Sequence, residues 1–279
     1  MRTNAPKELF TENSLIRLKD KNWLEKQRVA GKANAGALLL LEQEVKNGTT
    51  KSLLELNQLA ETFIYDNKCA PTFKNYKSFP AGVCCSAGSK LVHGIPDNTK
   101  LESGMKISFD LGCTFEGAIS DSALTVIYGE SSLAQTKILN ACEEALFKGM
   151  SAIAVGKRLG SIGSAISNCA KNYGCGNIVQ YGGHGLCWDI PHAPPFVANK
   201  ASVNDGIRIQ KGLTVAIEPM LTSGSTKTWT DSDGWTVWCE APIVSHFEHS
   251  IYVHDDHIEI LTYRGNETYL KSNKLYFTK

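Results

Sequence analysis

The chain has almost no excess charge of either sign: 29 Lys and Arg stand against 28 Asp and Glu in 279 residues. With neither a basic stripe nor an acidic tail, nucleic acid and membrane surfaces are not the expected partners, and a small or neutral ligand is. No stretch approaches the ~18 apolar residues needed to span a bilayer. The opening MRTNAPKELFTENS lacks a basic segment followed by an apolar one, so the cytoplasm is the expected compartment. The nine cysteines include no Cys-x-x-Cys pair, and their odd number fits reduced thiols better than disulfides or a structural zinc site. Three glycine signatures are also missing. No G-x-G-x-x-G opens a helix after a strand, which disfavours a Rossmann fold, and neither a G-x-x-x-x-G-K-[ST] loop nor a G-x-S-x-G elbow is present.

What is present alternates in type. From about Asn22 to Asn47, Leu24, Val29, Ala30, Ala33, Ala37, Leu40 and Leu41 recur at helical spacing, with Gly48 ending the run. A second helix is expected after Ser52 as N-cap, through Leu53, Leu56, Leu59, Ala60 and Phe63. Strands follow from about Val83 to Ile127. The order then repeats, with helices over about Ser132–Lys148 and Gly156–Tyr173 and strands over Val179–Tyr181, Thr214–Met220 and Ile243–Val253. Helix, helix, sheet, twice over, predicts an α+β fold of two similar halves within a single catalytic domain spanning 1–279, of which 1–21 form a short N-terminal extension.

Two aspartates stand out in ISFDLGCTFEGAISDSALTVIYG. A hairpin centred on Phe115 and Glu116 sets Asp110 directly opposite Asp121. Opposed residues hold their Cβ atoms roughly 4.5–5.5 Å apart, where like charges destabilise a sheet. The apolar neighbours Ile107, Phe109, Leu111 and Ile119 make this interior sheet, and a bound divalent cation is the simplest remedy. Two unrelated loop aspartates are the alternative, since a bulge shifts register.

Three further segments set one polar side chain in an apolar or glycine-rich context. His184 lies in YGGHGLC, where small neighbours let backbone come close. Glu218 interrupts TVAIEPML, with Pro219 marking a strand end or irregularity. Glu248 in PIVSHFEHSIYV is expected mid-strand, on one face with His246, Ser250 and Tyr252. Each alone could be a satisfied core polar group. Together, two Asp, one His and two Glu form an oxygen-rich set suited to paired Mn²⁺, Fe²⁺, Co²⁺ or Zn²⁺. His254 and His257 in VHDDHIE read as an exposed charged turn, and His249, alternating away from Glu248, reads as structural.

LVHGIPD, ISFDLG with ISDSA after it, GGHG, AIEPM, DGWTV and FEHSI, in that order over about 24–262, resemble the bacterial-type methionine aminopeptidases. The resemblance implies the two-halved pita-bread fold with a dinuclear metal centre between the halves. It implies metal ligands at Asp110, Asp121, His184, Glu218 and Glu248, with Glu218 also the proton shuttle. Auxiliary catalytic and substrate-binding histidines fall at His93 and His192, and a methionine pocket at Tyr76, Phe79, Cys84 and Trp235. An aromatic wall with a polarizable sulfur suits a thioether on physical grounds as well.

The implied activity is removal of the initiator methionine from nascent chains by a monomeric enzyme using two divalent metal ions, with ribosome association as a further possibility. The chain departs from the family pattern in four places. One residue more than usual separates His184 from His192, Gly88 and Ser89 replace an Asn-Glu pair, His246 stands where glutamine is frequent, and Phe73 where cysteine is. A proline-specific peptidase of the same fold, or a binding protein that has lost catalysis, are the competing readings.

Overall fold

A computed structural model describes residues 8–11, 14–267 and 275–277. Of the short N-terminal stretch over 1–21, positions 1–7 and 12–13 lie outside the described residues. Four α-helices occur among the described residues: α1 (Lys21–Lys46), α2 (Leu53–Asp66), α3 (Leu133–Ser151) and α4 (Gly160–Tyr173). Their starts follow local chemistry. Asp20 caps α1 by accepting from the Trp23 N–H, and Ser52 forms a reciprocal capping box with Glu55, as Ser132 does with Gln135. Helix α4 begins at Gly160 rather than at Gly156, where φ is +87° and the chain turns. No helix among the described residues is long and apolar enough to cross a membrane.

In the first half, α1 and α2 cover a sheet whose centre is β2 (Lys106–Phe115), flanked by β1 (Val83–Ala87) and β3 (Ala118–Ile127). In the second, α3 and α4 accompany a sheet containing β4 (Gly182–Cys187), β5 (Ile190–Ala198), β6 (Thr214–Ile217), β9 (His249–Val253) and β10 (Ile258–Ile260). A smaller sheet pairs β7 (Met220–Thr222) with β8 (Val244–His246). One apolar core joins the halves, from Leu38 and Leu41 of α1 through Ile107, Phe109 and Leu111 of β2 to Val215 of β6 and Ile251 of β9, all buried. The expected order of helix, helix, sheet in each half is therefore present. No strand forms over 179–181, because the Val179 N–H is taken by the Gln180 side chain; strands flank that stretch at Gly176–Asn177 and β4.

The β2–β3 hairpin corrects one expectation. Its turn falls at Glu116 and Gly117, with φ of +45° and +82°, and Phe115 pairs with Ala118. The turn thus sits one residue later than assumed, because Gly117 tolerates the left-handed conformation that a two-residue hairpin turn demands. Asp110 consequently faces Ala123, and Asp121 faces Gly112. The two aspartates are diagonal neighbours on one face rather than directly opposed.

A second correction concerns Glu248, which is not mid-strand. β6 pairs with β9 up to Ile217–His249, and β7 with β8 from Met220–His246, so both chains break at the same level. Glu218 and Glu248 occupy this matched gap. Pro219 has no N–H to give, and the backbone of Glu248 turns instead to Ala123 of β3, donating at 2.9 Å and accepting at 3.4 Å.

Candidate metal centre

All five predicted metal ligands line one cavity of about 590 Å³. Asp110 and Asp121 enter from the hairpin of the first half, His184 from β4, and Glu218 and Glu248 from the matched gap. His184 Nε2 lies 3.7 Å from Asp121, 3.7 Å from Glu218 and 3.9 Å from Glu248. Ligand atoms of Asp110, Asp121 and Glu248 lie within 4.8 Å of one another, as do those of His184, Glu218 and Glu248. The glycines around His184 have a different use from the one expected. A Cβ on Gly183 would meet the Ala216 carbonyl oxygen at 2.2 Å, and one on Gly185 the Pro194 oxygen at 2.0 Å, so they admit neighbouring strands rather than a ligand.

The electrostatics favour a cation. Burial pushes the Asp110 carboxyl up to about 7, with His246 opposing and Glu218 adding to the rise. Burial and then the charges of Asp110 and Glu218 drive Asp121 well above the carboxylate range. Glu218 is raised to about 7 by burial against the opposing effect of His184. Glu248 rises well above its usual value through burial and the charges of Asp121, Glu218 and Asp110. Asp110 Oδ1, Asp121 Oδ1 and Glu248 Oε1 are buried with no hydrogen-bond partner among the described residues. Oxygens left bare in this way, on carboxylates packed this closely, fit hard or borderline divalent ions.

Hydroxyls hold the cluster's backbone. Ser250 Oγ accepts from the Asp121 N–H at 2.8 Å and donates to the Asp121 carbonyl at 2.7 Å. Thr125 Oγ1 treats His246 identically, at 2.9 and 2.8 Å. Ser122 Oγ donates to the Glu248 carbonyl at 2.7 Å and accepts from Arg264 at 3.0 Å. His246, which stands where the family frequently has glutamine, lies with Nε2 3.3 Å from Glu218. His249 faces away, bonded to Thr262 at 2.9 Å, which fits its structural reading, whereas His254 and His257, expected in an exposed turn, are half-buried and stack at 4.2 Å beside Glu259.

The auxiliary and pocket residues reach the same cavity. His93 sits at φ +57°, an uncommon conformation for a residue with a side chain, and its ring meets Trp235 edge-on at 6.1 Å. Burial, then His246, lowers its pKa to about 4, so the ring is neutral near pH 7. His192 lies in β5, whose pairing with β4 shifts register on either side of Ala193. His192 keeps an exposed edge but lies 4.6 Å from the His184 ring and 5.5 Å from Tyr76. Phe79 meets Trp235 at 5.1 Å, and Phe73, Phe79 and Cys84 form one buried cluster. Burial, then Asp110, raises the Cys84 thiol, keeping it protonated and apolar.

Sequence reasoning missed Lys77, Gln180, Tyr181, Phe196 and Met220, which also line the cavity. The only sequence-level signal for them was proximity to the residues it did select. Asn75, Lys77 and Ser78 all have positive φ, a strained run worth of order 1–3 kcal/mol per residue of the kind that gathers at functional sites.

Two sheets and their helices closing a cavity over four carboxylates and a histidine define a metal-dependent hydrolase of the pita-bread fold. The model of "Metallopeptidase family M24" matches residues 25–255, and the chain belongs to that family, within its methionine aminopeptidase branch. Methionine aminopeptidase of Mycoplasma capricolum is 36% identical over 250 residues, covering 89% of this chain and 98% of that protein. Methionine aminopeptidase 1 of Bacillus subtilis is 36% identical over 236 residues, covering 84% and 94%. The crystal structure of methionine aminopeptidase from Thermotoga maritima superposes with a TM-score of 0.85 at 31% identity, covering 88% of this chain and 99% of that one. Prolidase from Pyrococcus furiosus, at 20% identity and a TM-score of 0.72, shares the fold, and this chain covers 65% of its length.

Proposed function

We propose that this chain, acting as one catalytic unit, releases the N-terminal methionine from peptides and nascent proteins. The observation that carries the reading is a single cavity joining the carboxylate cluster to a closed aromatic and sulfur wall. Asp110, Asp121, His184, Glu218 and Glu248 would hold two divalent ions of the Mn²⁺, Fe²⁺, Co²⁺ or Zn²⁺ type. Such ions, when bound, lower the pKa of water and polarise the scissile carbonyl. The thioether side chain lies against Tyr76, Phe79, Cys84 and Trp235, which directs the free α-amine toward the acidic floor and restricts cleavage to the first bond. Glu218, at the gap between His184 and His246, accepts the proton of the attacking water and passes it to the leaving nitrogen. His93 and His192 donate hydrogen bonds to the peptide carbonyl as it becomes tetrahedral. Water adds across one C–N bond, leaving free methionine and a chain with a new amine.

The test is stepwise removal and restoration of metal with Met-Gly-X, Leu-Gly-X and Ala-Pro-X peptides. Selective, chelator-sensitive release from Met-Gly-X is the expected result. Faster cleavage of Ala-Pro-X would transfer the assignment to a proline-specific peptidase. Metal binding without cleavage of any peptide would make the chain a binding protein on this fold.

A further inference from the structure

The residues that bind the first amino acid leave one charged side chain of the cavity without a task. Among the described residues lining it, the charged groups are Asp110, Asp121, Glu218, Glu248 and Lys77. Two divalent ions formally cancel the four carboxylates, which leaves Lys77 as the net charge facing a bound peptide. Nearby Lys74 is paired with Glu61, whereas Lys77 has no carboxylate partner among the described residues and rests over the Tyr76 ring, 5.4 Å from its centroid. The backbone that carries it is held in place. Backbone bonds from Asn75 N–H to the Phe79 carbonyl (2.8 Å), Tyr76 to Phe73 (2.9 Å) and Phe79 to Tyr76 (2.9 Å) close a turn in which Lys77 takes φ +46°.

The first residue of a methionyl substrate carries no carboxylate, so any that this ammonium meets lies beyond the cleaved bond. Tyr76, under Lys77, lies 5.5 Å from His192, which lies 4.6 Å from His184, so a line of ring contacts joins this side of the cavity to the metal-ligand cluster. We propose that Lys77 is a specificity determinant that reads a carboxylate on the part of the substrate beyond the cleaved bond, either an acidic side chain or the C-terminus of a short peptide. The assignment rests on the aminopeptidase reading above.

Two peptide pairs test it on the metal-loaded protein. Met-Ala-Ala against Met-Ala-Ala-amide isolates a terminal carboxylate, and Met-Ala-Asp-Ala-amide against Met-Ala-Asn-Ala-amide isolates a side chain. An exposed ion pair supports about a two- to fivefold advantage in kcat/KM for the carboxylate member of a pair. That ratio should fall to one in Lys77→Met, persist in Lys77→Arg, invert in Lys77→Glu, and shrink as NaCl rises. A ratio above one in the first pair alone assigns the C-terminus of short peptides, and in the second alone the acidic side chain. Ratios of one in both pairs, or ratios that Lys77→Glu leaves unmoved, overturn the proposal. Calorimetric binding of Met-Ala-Ala acid and amide analogues with a reduced first peptide bond gives the same ratio without turnover. It scores Lys77 even if no methionyl peptide is cleaved, an outcome that would defeat the aminopeptidase reading separately.

Discussion

The hydroxyl of Ser250 closes both hydrogen bonds of the Asp121 backbone, accepting its N–H at 2.8 Å and donating to its carbonyl at 2.7 Å. Two residues along, Ala123 and Glu248 exchange backbone bonds, and two further, Thr125 closes both backbone bonds of His246. The three rungs keep one antiparallel register between β3 of the first half and the β8–β9 segment of the second. Side-chain hydroxyls stand in where the two backbones are too far apart to pair directly. The seam between the halves thus runs through two proposed metal ligands, and the position of one cluster half relative to the other depends on it.

Removing the Ser250 hydroxyl leaves two buried backbone groups unpaired. An unsatisfied buried group costs about 1–3 kcal/mol, so Ser250→Ala should lose at least that much in urea unfolding. Supporting groups behind metal ligands typically change affinity 10–100-fold, and weaker metal binding by calorimetry is expected alongside. Unchanged stability and metal affinity would show that the hydroxyl clamp is incidental.

Asp110→Asn and Asp121→Asn should each abolish turnover while leaving the fold intact. Both carboxylates are buried against their electrostatic preference, so the metal-free variants should melt no lower than metal-free wild type. Added Mn²⁺ or Co²⁺ should raise the wild-type Tm, since a ligand that binds only the folded state stabilises it, and should leave the variants unmoved. Full activity in either variant, or an undiminished metal-induced shift, would exclude these aspartates as ligands.

His93 and His192 are assigned to substrate rather than to metal. Each change to Ala should preserve metal content by elemental analysis and lower kcat by about 10²–10³-fold, the usual loss for one oxyanion donor. His192 also has a ring nitrogen within 4.8 Å of ligand atoms of Asp121 and His184. Loss of one metal equivalent in His192→Ala would therefore move it to the ligand set.

Acid stability should depend on Glu267, behind the seam. Burial alone would raise this carboxyl, but its hydrogen bond to His249 and the charge of Arg264 outweigh burial and hold it at about 2. The folded value lies below the unfolded one, so this contribution is full above about pH 4.5 and is lost as pH falls toward 2. The shift corresponds to roughly 3 kcal/mol. Melting from pH 6 down to pH 3 should show a steeper fall in wild type than in Glu267→Gln. Parallel curves would locate the acid sensitivity elsewhere.

Much of this site was legible because its polar residues interrupt apolar strands. Asp110, Asp121, Glu218 and Glu248 cost too much in a core to be accidental, and the helix start at Ser52 follows from a cap a few residues long. The hairpin register was misjudged by one turn position, because the choice between Phe115–Glu116 and Glu116–Gly117 depends on which residue takes positive φ. The matched break at Glu218 and Glu248, the hydroxyl seam and the position of Lys77 depend on partners distant in sequence. Periodicity does not report those.

Selectivity for methionine is the sharpest consequence of the pocket. Phe79, Cys84 and Trp235 enclose an apolar slot, in which Trp235 meets both the Phe79 ring at 5.1 Å and the His93 ring at 6.1 Å. An unbranched side chain should fit, while a β-branched one would crowd the entrance and a charged one would lose its hydration without a partner. Norleucine keeps the shape but lacks the sulfur, and differences of about one methylene in such a pocket are worth only 1–3 kcal/mol. Norleucyl-Gly-X should therefore be cleaved at a rate reduced by about tenfold or more, and valyl and lysyl peptides not at all. Trp235→Ala removes one wall and loosens the His93 ring. It should raise KM for Met-Gly-X, lower kcat, and narrow the gap between methionyl and leucyl peptides. If the variant cleaves Met-Gly-X like wild type and still rejects Leu-Gly-X, the methionine side chain binds elsewhere in the cavity.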